Sequence, residues 1–321
     1  MTAEQLTRKQ LSLLGTVIVL GLTALSYLDH TFVQAGLWAF VGLTLTSGFL
    51  HGALDIVLMQ REFANARRLA GVTALYALAV IFVAIVCAGN GWLMLLLLLS
   101  MSIWHFGEPY GRWAHDDGVS RVIAGGAPVM LPALLSAPVL QSLLPMAVGI
   151  DASWTWTIWQ AMAWLWLGAS ALGVSTFLIR GQRLFCKPLW IEVAFVVVLN
   201  LALSPLLAFS IYFGVLHASA HIYRVAAHPS PDAPVERAIR ASRGLRRPGV
   251  VAVILTCTAT IFLLLPLVWY LQSAPMAAST FHGMLNGLLV ALTAVTLPHL
   301  ILVSRNARGL TRTRFALRPK A

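Results

Sequence analysis

The stretch WLMLLLLLSMSIWHFGEP, residues 92–109, contains one acidic residue and no lysine or arginine. A helix needs about 20 mostly apolar residues to cross the hydrocarbon core of a bilayer, so this stretch predicts a membrane-spanning helix. Its unusual member is His105. An ionisable side chain is costly to bury in a membrane, and such residues tend to face the protein interior and to serve function.

The remainder of the chain is also strongly apolar. Of its 321 residues, 59% are hydrophobic and only 10% are charged, which is the composition of an integral membrane protein. We predict an all-α, polytopic bundle of about ten transmembrane helices, forming a single integral membrane domain over residues 1–321. The predicted spans are residues 11–28, 35–59, 69–89, 92–109, 122–148, 154–179, 188–204, 206–227, 249–272 and 281–303.

Prolines make two places in this pattern irregular. The fifth span holds four of them, at positions 128, 132, 138 and 145, which predicts a broken or partly re-entrant helix. Pro205 lies between the seventh and eighth spans, where it either separates two helices or kinks one long helix.

The distribution of charge predicts the topology. The 22 lysines and arginines exceed the 11 acidic residues, but they lie between apolar runs and form no continuous basic face, so we expect no nucleic-acid partner. With the N-terminus in the cytoplasm, the cationic loops and the basic tail all fall on the cytoplasmic side, and the opposite loops contain no lysine or arginine. This asymmetry predicts an even number of spans, both termini in the cytoplasm, and a location in the cell (inner) membrane.

Five histidines lie near the cytoplasmic ends of even-numbered spans, which run in the same direction under this topology. They are His51, His105, His217, His221 and His299. In LHASAHIYR, residues 216–224, the histidine pair is four residues apart, an offset of about 40° and about 6 Å on a helix, so both rings can reach one ion. Neutral imidazole is a ligand for iron, zinc or copper. Hydrogen bonding to neighbouring helices is the alternative interpretation.

Two of these histidines have a carboxylate close by. Asp55 follows His51 by four residues and Glu108 follows His105 by three, spacings that put each acid near the helical face of its histidine. A ligating imidazole usually donates its second N–H to a carboxylate or carbonyl. We therefore predict that both acids orient ligands, on their own or on neighbouring helices, with a loop-facing charge as the alternative for each.

Four stretches together resemble a known family. GFLHGALD (48–55), SIWHFGEPYGRW (102–113), FGVLHASAHIYR (213–224) and LPHLILV (297–303) are similar, in this order, to the Brp/Blh family of membrane-embedded β-carotene dioxygenases. The resemblance implies cleavage of the central double bond of β-carotene by O2 to give two all-trans retinal molecules. It also implies one Fe(2+) ion, held by histidines that correspond to His51, His105, His217 and His221.

The implied chemistry assigns further residues. An all-histidine ferrous site leaves a coordination position for O2. His299 is therefore expected to support the site or to position substrate, because a fifth ligand would occupy a position that O2 needs. Aromatic residues near the ligands are expected to line a lipid-accessible tunnel for the carotenoid, with packing as the alternative; they are Phe49, Trp104, Phe106, Tyr212 and Phe213. Retinal production suggests a functional link to a retinal-binding rhodopsin.

Three other classes of protein compete with this interpretation. A di-iron desaturase or hydroxylase would need about eight histidines with an HxxHH box, whereas the chain has one HxxxH and no HxxHH. A b-type haem carrier could use axial histidines from two helices. A transporter or ion-binding bundle is the main alternative, because polar residues at one depth and helix-breaking prolines would suit it.

Overall fold

The computed structural model of the protein describes residues 51–52, 54–63, 65–113, 118–148, 152–179, 187–218, 220–221 and 278–316. The predicted spans at 11–28 and 249–272 lie outside the described residues, as do most of the span at 35–59 and Phe49.

Every regular element of the described residues is a helix. In chain order they are α1 (Asp55–Glu62), α2 (Ala66–Ala88), α3 (Gly91–Trp113), α4 (Gly118–Leu135), α5 (Ala137–Val148), α6 (Ala152–Ile179), α7 (Lys187–Ala202), α8 (Pro205–Ile211), a π-helical segment (Tyr212–Ala218) and α9 (Ala278–Ala316). Five of them, α2, α3, α4, α6 and α9, are long and apolar enough to cross a membrane. The described residues confirm an all-α fold with five candidate membrane-spanning helices, whereas the count of ten spans and the side of the termini stay predictions.

The fifth predicted span is broken, as its prolines predict. It forms two helices, α4 and α5, which meet at Ser136. Pro138 is the second residue of α5, where the absent N–H costs no helical hydrogen bond. The three other prolines lie inside the two helices.

Pro205 begins a new helix that runs back along α7. Ser204 has an extended backbone, with φ −61° and ψ 149°, and Pro205 occupies the first turn of α8. The hydroxyl of Tyr212 donates to Glu192 Oε1 at 3.0 Å. Twenty residues of continuous helix would separate these two residues by about 30 Å. The chain therefore reverses direction here, and Pro205 separates two antiparallel helices.

Glycines allow α3 and α4 to cross closely. A Cβ atom added at Gly125 would lie 2.6 Å from Gly107 N and 2.8 Å from the carbonyl carbon of Ile103. Small residues at such crossings let helix backbones approach each other in membranes. The crossing fixes the part of α3 that carries His105.

The helices that carry histidines run parallel to one another. One apolar cavity is lined by Leu95 of α3, Leu206 of α8 and Leu285 of α9. A second cavity shares Ser102, Phe209 and Leu292 with it and is also lined by His105, Phe213 and His299. Further along, the histidines of these elements meet. Residue numbers thus increase together on α3, α8 and α9, which brings their histidines to one depth.

Candidate metal centre

Four histidine side chains converge through their Nε2 atoms. His51 Nε2 lies 2.9 Å from His299 Nε2 and 3.2 Å from His105 Nε2, and His105 Nε2 lies 3.0 Å from His217 Nε2. Each of these side chains is buried. His51 precedes α1, His105 is on α3, His217 is in the π-helical segment and His299 is on α9, so four separate elements supply the cluster.

His221 lies against the same cluster. Its ring centroid is 4.2 Å from that of His51 and 5.4 Å from that of His299, and the side chain is buried. The cluster therefore contains all five histidines that the sequence places at one depth. We call these five residues the histidine cluster.

The donor set of the histidine cluster fits a metal ion. A neutral imidazole nitrogen carries either one proton or one in-plane lone pair. Three successive Nε2 to Nε2 contacts therefore cannot all be well-directed hydrogen bonds, because the two middle nitrogens each face two others. A cation among them would use one lone pair from each ring. One ligand atom from each of His51, His105 and His299 lies within 4.8 Å of the others, as a shared ion requires.

A carboxylate determines the orientation of one of these rings. Asp55 Oδ1 lies 2.6 Å from His299 Nδ1, and both side chains are buried. A carboxylate is an acceptor, so the His299 proton belongs on Nδ1 and its Nε2 lone pair points into the cluster. Asp55 thus contacts the histidine of a distant helix, 244 residues along the chain.

Two residues near the site were not predicted from the sequence. Tyr76 of α2 donates its hydroxyl to Asp55 Oδ2 at 2.6 Å. Glu192 of α7 is a buried carboxylate that accepts hydrogen bonds from Tyr110 and from Tyr212. A charged residue within an apolar span is the one signal that could have identified Glu192. A single tyrosine in a membrane helix gives no comparable signal.

An apolar cavity adjoins the histidine cluster. The smaller of two cavities, about 40 Å³, is lined by His51, His105 and His299 together with apolar side chains. The larger, about 120 Å³, has a lining in which Ser102 is the sole residue with a hydroxyl group. The two linings share four residues, which are Leu98, Ser102, Phe209 and Leu292. The cavities are therefore neighbours along α3, and we call the larger one the apolar cavity.

The other predicted site residues fall in different places. Phe106 and Phe213 line the smaller cavity, and Tyr212 is fully buried with its hydroxyl on Glu192. Trp104 is 45% exposed, and the guanidinium carbon of Arg121 lies 4.2 Å from its ring centroid.

Glu108 is buried in α3. Neither Trp104, Tyr212 nor Glu108 is among the residues that line the two cavities.

Comparison with known proteins identifies the family. No curated protein and no solved structure matches the chain. The sequence model of the beta-carotene 15,15'-dioxygenase family matches residues 42–305, which include the whole histidine cluster and most of the chain, so this protein belongs to that family.

Proposed function

We propose that this protein is an iron(II)-dependent dioxygenase of the cell inner membrane that cleaves the central double bond of β-carotene, or of a related carotenoid, with O2 to give two retinal molecules. The observation that carries the proposal is a cluster of converging histidine nitrogens beside an apolar cavity, in a chain of this family. The membrane lipid would be the source of substrate, and a retinal-binding rhodopsin would be a consumer of product.

The candidate iron ligands are the members of the histidine cluster. His51, His105, His217 and His221 correspond to the four ligands that the family resemblance implies. The short contact between His299 and His51, 2.9 Å, supports including His299 as a fifth candidate, although the sequence alone assigns it a supporting role. Bound iron(II) would relieve the spin barrier to reaction with O2, while the double bond that is cleaved supplies the electrons that reduce the O2.

The apolar cavity, about 120 Å³, would hold and align part of the polyene. Its lining offers almost no hydrogen-bonding groups, so it suits a hydrocarbon better than a polar solute. Residues from Leu95 to His105 of α3 cover about 15 Å along the helix axis, which provides a wall for an extended, rigid ligand. Phe106 and Phe213 beside the cluster would fix which double bond meets the metal centre.

The protein would take up its substrate from the lipid bilayer. A carotenoid is too apolar to cross water, so it would reach the cavity sideways between helices. The cationic loops predict that both termini and the histidine ends of the spans lie on the cytoplasmic side. We therefore place the metal centre in the cytoplasmic half of the membrane.

Expression in bacteria that accumulate β-carotene tests this function. The wild-type protein should bleach the cells and form retinal, whereas His51→Ala should leave the pigment unchanged at the same level of membrane-inserted protein. Retinal formed by purified protein with iron and O2 would exclude a transporter. Unchanged β-carotene in cells that make intact, iron-loaded protein would overturn the proposal.

A further inference from the structure

Most side chains of α2 are partly or fully exposed, but one of them makes a polar contact with the protein interior. Among its described side chains, Val83 and Cys87 are the two that are buried. Tyr76 is half-buried beside a small apolar cluster that includes Leu58 and Leu302, and its hydroxyl points inward to Asp55. This hydrogen bond links α2 to the histidine cluster.

Asp55 receives a hydrogen bond on each of its two oxygens. His299 Nδ1 contacts Oδ1 and the Tyr76 hydroxyl contacts Oδ2, both at 2.6 Å. A carboxylate that is hydrogen-bonded through only one oxygen can rotate about the Cβ–Cγ bond, which is a soft torsion. A second donor from another helix fixes the plane of the carboxylate and therefore the direction in which His299 presents its Nε2 atom.

We propose that Tyr76 is a positioning residue of the metal centre, which acts through Asp55 to orient His299. The proposal rests on the proposed function, because it requires the histidine cluster to bind a metal ion. Tyr76 does not reach the cluster itself. It contributes the outer of the two hydrogen bonds that connect Tyr76 to Asp55 and Asp55 to His299.

Removal of a single hydroxyl group tests the inference. In purified Tyr76→Phe protein we expect cobalt(II) to bind about 2 to 10 times more weakly, the effect of one net hydrogen bond on an equilibrium. The ligand-field absorption of bound cobalt(II) should also shift, because the orientation of one imidazole changes. Thr73→Val is the matched control, since it removes a hydroxyl three residues away on the same helix, and that hydroxyl contacts Met59 Sδ and not Asp55.

A double-mutant cycle separates positioning from a structural role. If Tyr76 acts through Asp55, then Tyr76→Phe should have no further effect on cobalt(II) affinity in an Asp55→Ala background. An equal loss of affinity in both backgrounds, or no loss in the wild-type background, would overturn the proposal. If Asp55→Ala cannot be purified, Asp55→Asn serves as the background, and the effect of Tyr76→Phe should be smaller there than in the wild type.

The same titration distinguishes this inference from the proposed metal centre. If the wild-type protein fails to bind cobalt(II), both proposals are overturned. If His299→Ala binds it as well as the wild type does, the role of Tyr76 is overturned, and a metal centre formed by the other four histidines still stands. If the wild type binds, His299→Ala loses affinity and Tyr76→Phe does not, only the role of Tyr76 is overturned.

Discussion

Replacing Gly125 by alanine should disrupt the metal centre from the far side of α3. The new Cβ atom would lie 2.6 Å from Gly107 N and 2.8 Å from the carbonyl carbon of Ile103. It would also overlap the Ile103 carbonyl oxygen, which is the nearest atom. Optimal separations of such atoms are about 3.5 Å or more, so α3 and α4 must separate by about 0.9 Å or more. The obstacle is the backbone of α3, which cannot move aside as a flexible side chain could.

A displacement of this size is large compared with the tolerance of a metal–ligand distance. His105 lies between Ile103 and Gly107, and ligand distances at metal sites hold within about 0.2 Å. Alanine by itself favours a helix over glycine by roughly 1 kcal/mol, but overpacking costs about 1 to 3 kcal/mol. We therefore expect Gly125→Ala to lower stability, and to lower activity by roughly 10- to 100-fold, because a misplacement of about 1 Å can have that effect.

The assay compares iron content, retinal formation and thermal unfolding in purified protein. Gly168→Ala is the control, since no atom lies within 4 Å of the Cβ that it adds on α6, and it should retain wild-type activity. A Gly125→Ala protein with full iron content and full activity would refute the reasoning, either on the closeness of the helix crossing or on the role of His105.

Three further substitutions probe other parts of the molecule. Ser102→Leu should leave iron content unchanged but reduce retinal formation by roughly tenfold or more, because the larger side chain fills the junction of the two cavities; unchanged activity would show that substrate does not pass this point. Glu192→Gln should lower the free energy of unfolding by about 1 to 3 kcal/mol, the cost of leaving a buried hydrogen-bonding group unsatisfied, and an unchanged melting temperature in detergent would contradict this. Arg305→Ala should change stability by less than about 1 kcal/mol, since its ion pair with Glu62 is exposed and screened; a larger loss of thermal stability would argue against that.

The apolar runs predict the helices well but not all of their ends. The span predicted over residues 281–303 is a helix from Ala278 to Ala316. Hydropathy detects only the part of a helix that lies in the membrane. The basic residues after 303 include several arginines, which are strong helix formers in water, so the helix continues past the apolar run.

The lateral arrangement of helices is much harder to predict than their existence. The common depth of the histidines follows from loop charge, because charge orients each span. Which helix lies beside which depends on packing of side chains that all have the same hydropathy. The contact of Tyr76 with Asp55, the supporting contact of Asp55 with His299, and the exposure of Trp104 are all determined at that level.

The π-helical segment is another feature that the sequence does not predict. Regular α-helical spacing was the basis for expecting the rings of His217 and His221 on one face, but residues 212–218 form wider turns. Such segments are rare and are often found at functional sites. No periodicity in the sequence distinguishes them from ordinary helix, since the tertiary contacts of Tyr212 and His217 stabilise the local conformation.

The wide separation of the clustered histidines along the chain affects how the protein is made. His51 and His299 are 248 residues apart in sequence yet in direct contact. A ribosome releases the first candidate ligand long before the last one, so the cluster can form only after α9 has entered the membrane and reached its neighbours. If the cluster binds metal as proposed, metal uptake would follow the completion of the bundle. A bound ion would join the beginning and the end of the described chain, and a truncated or misassembled copy would remain without metal and open to proteolysis.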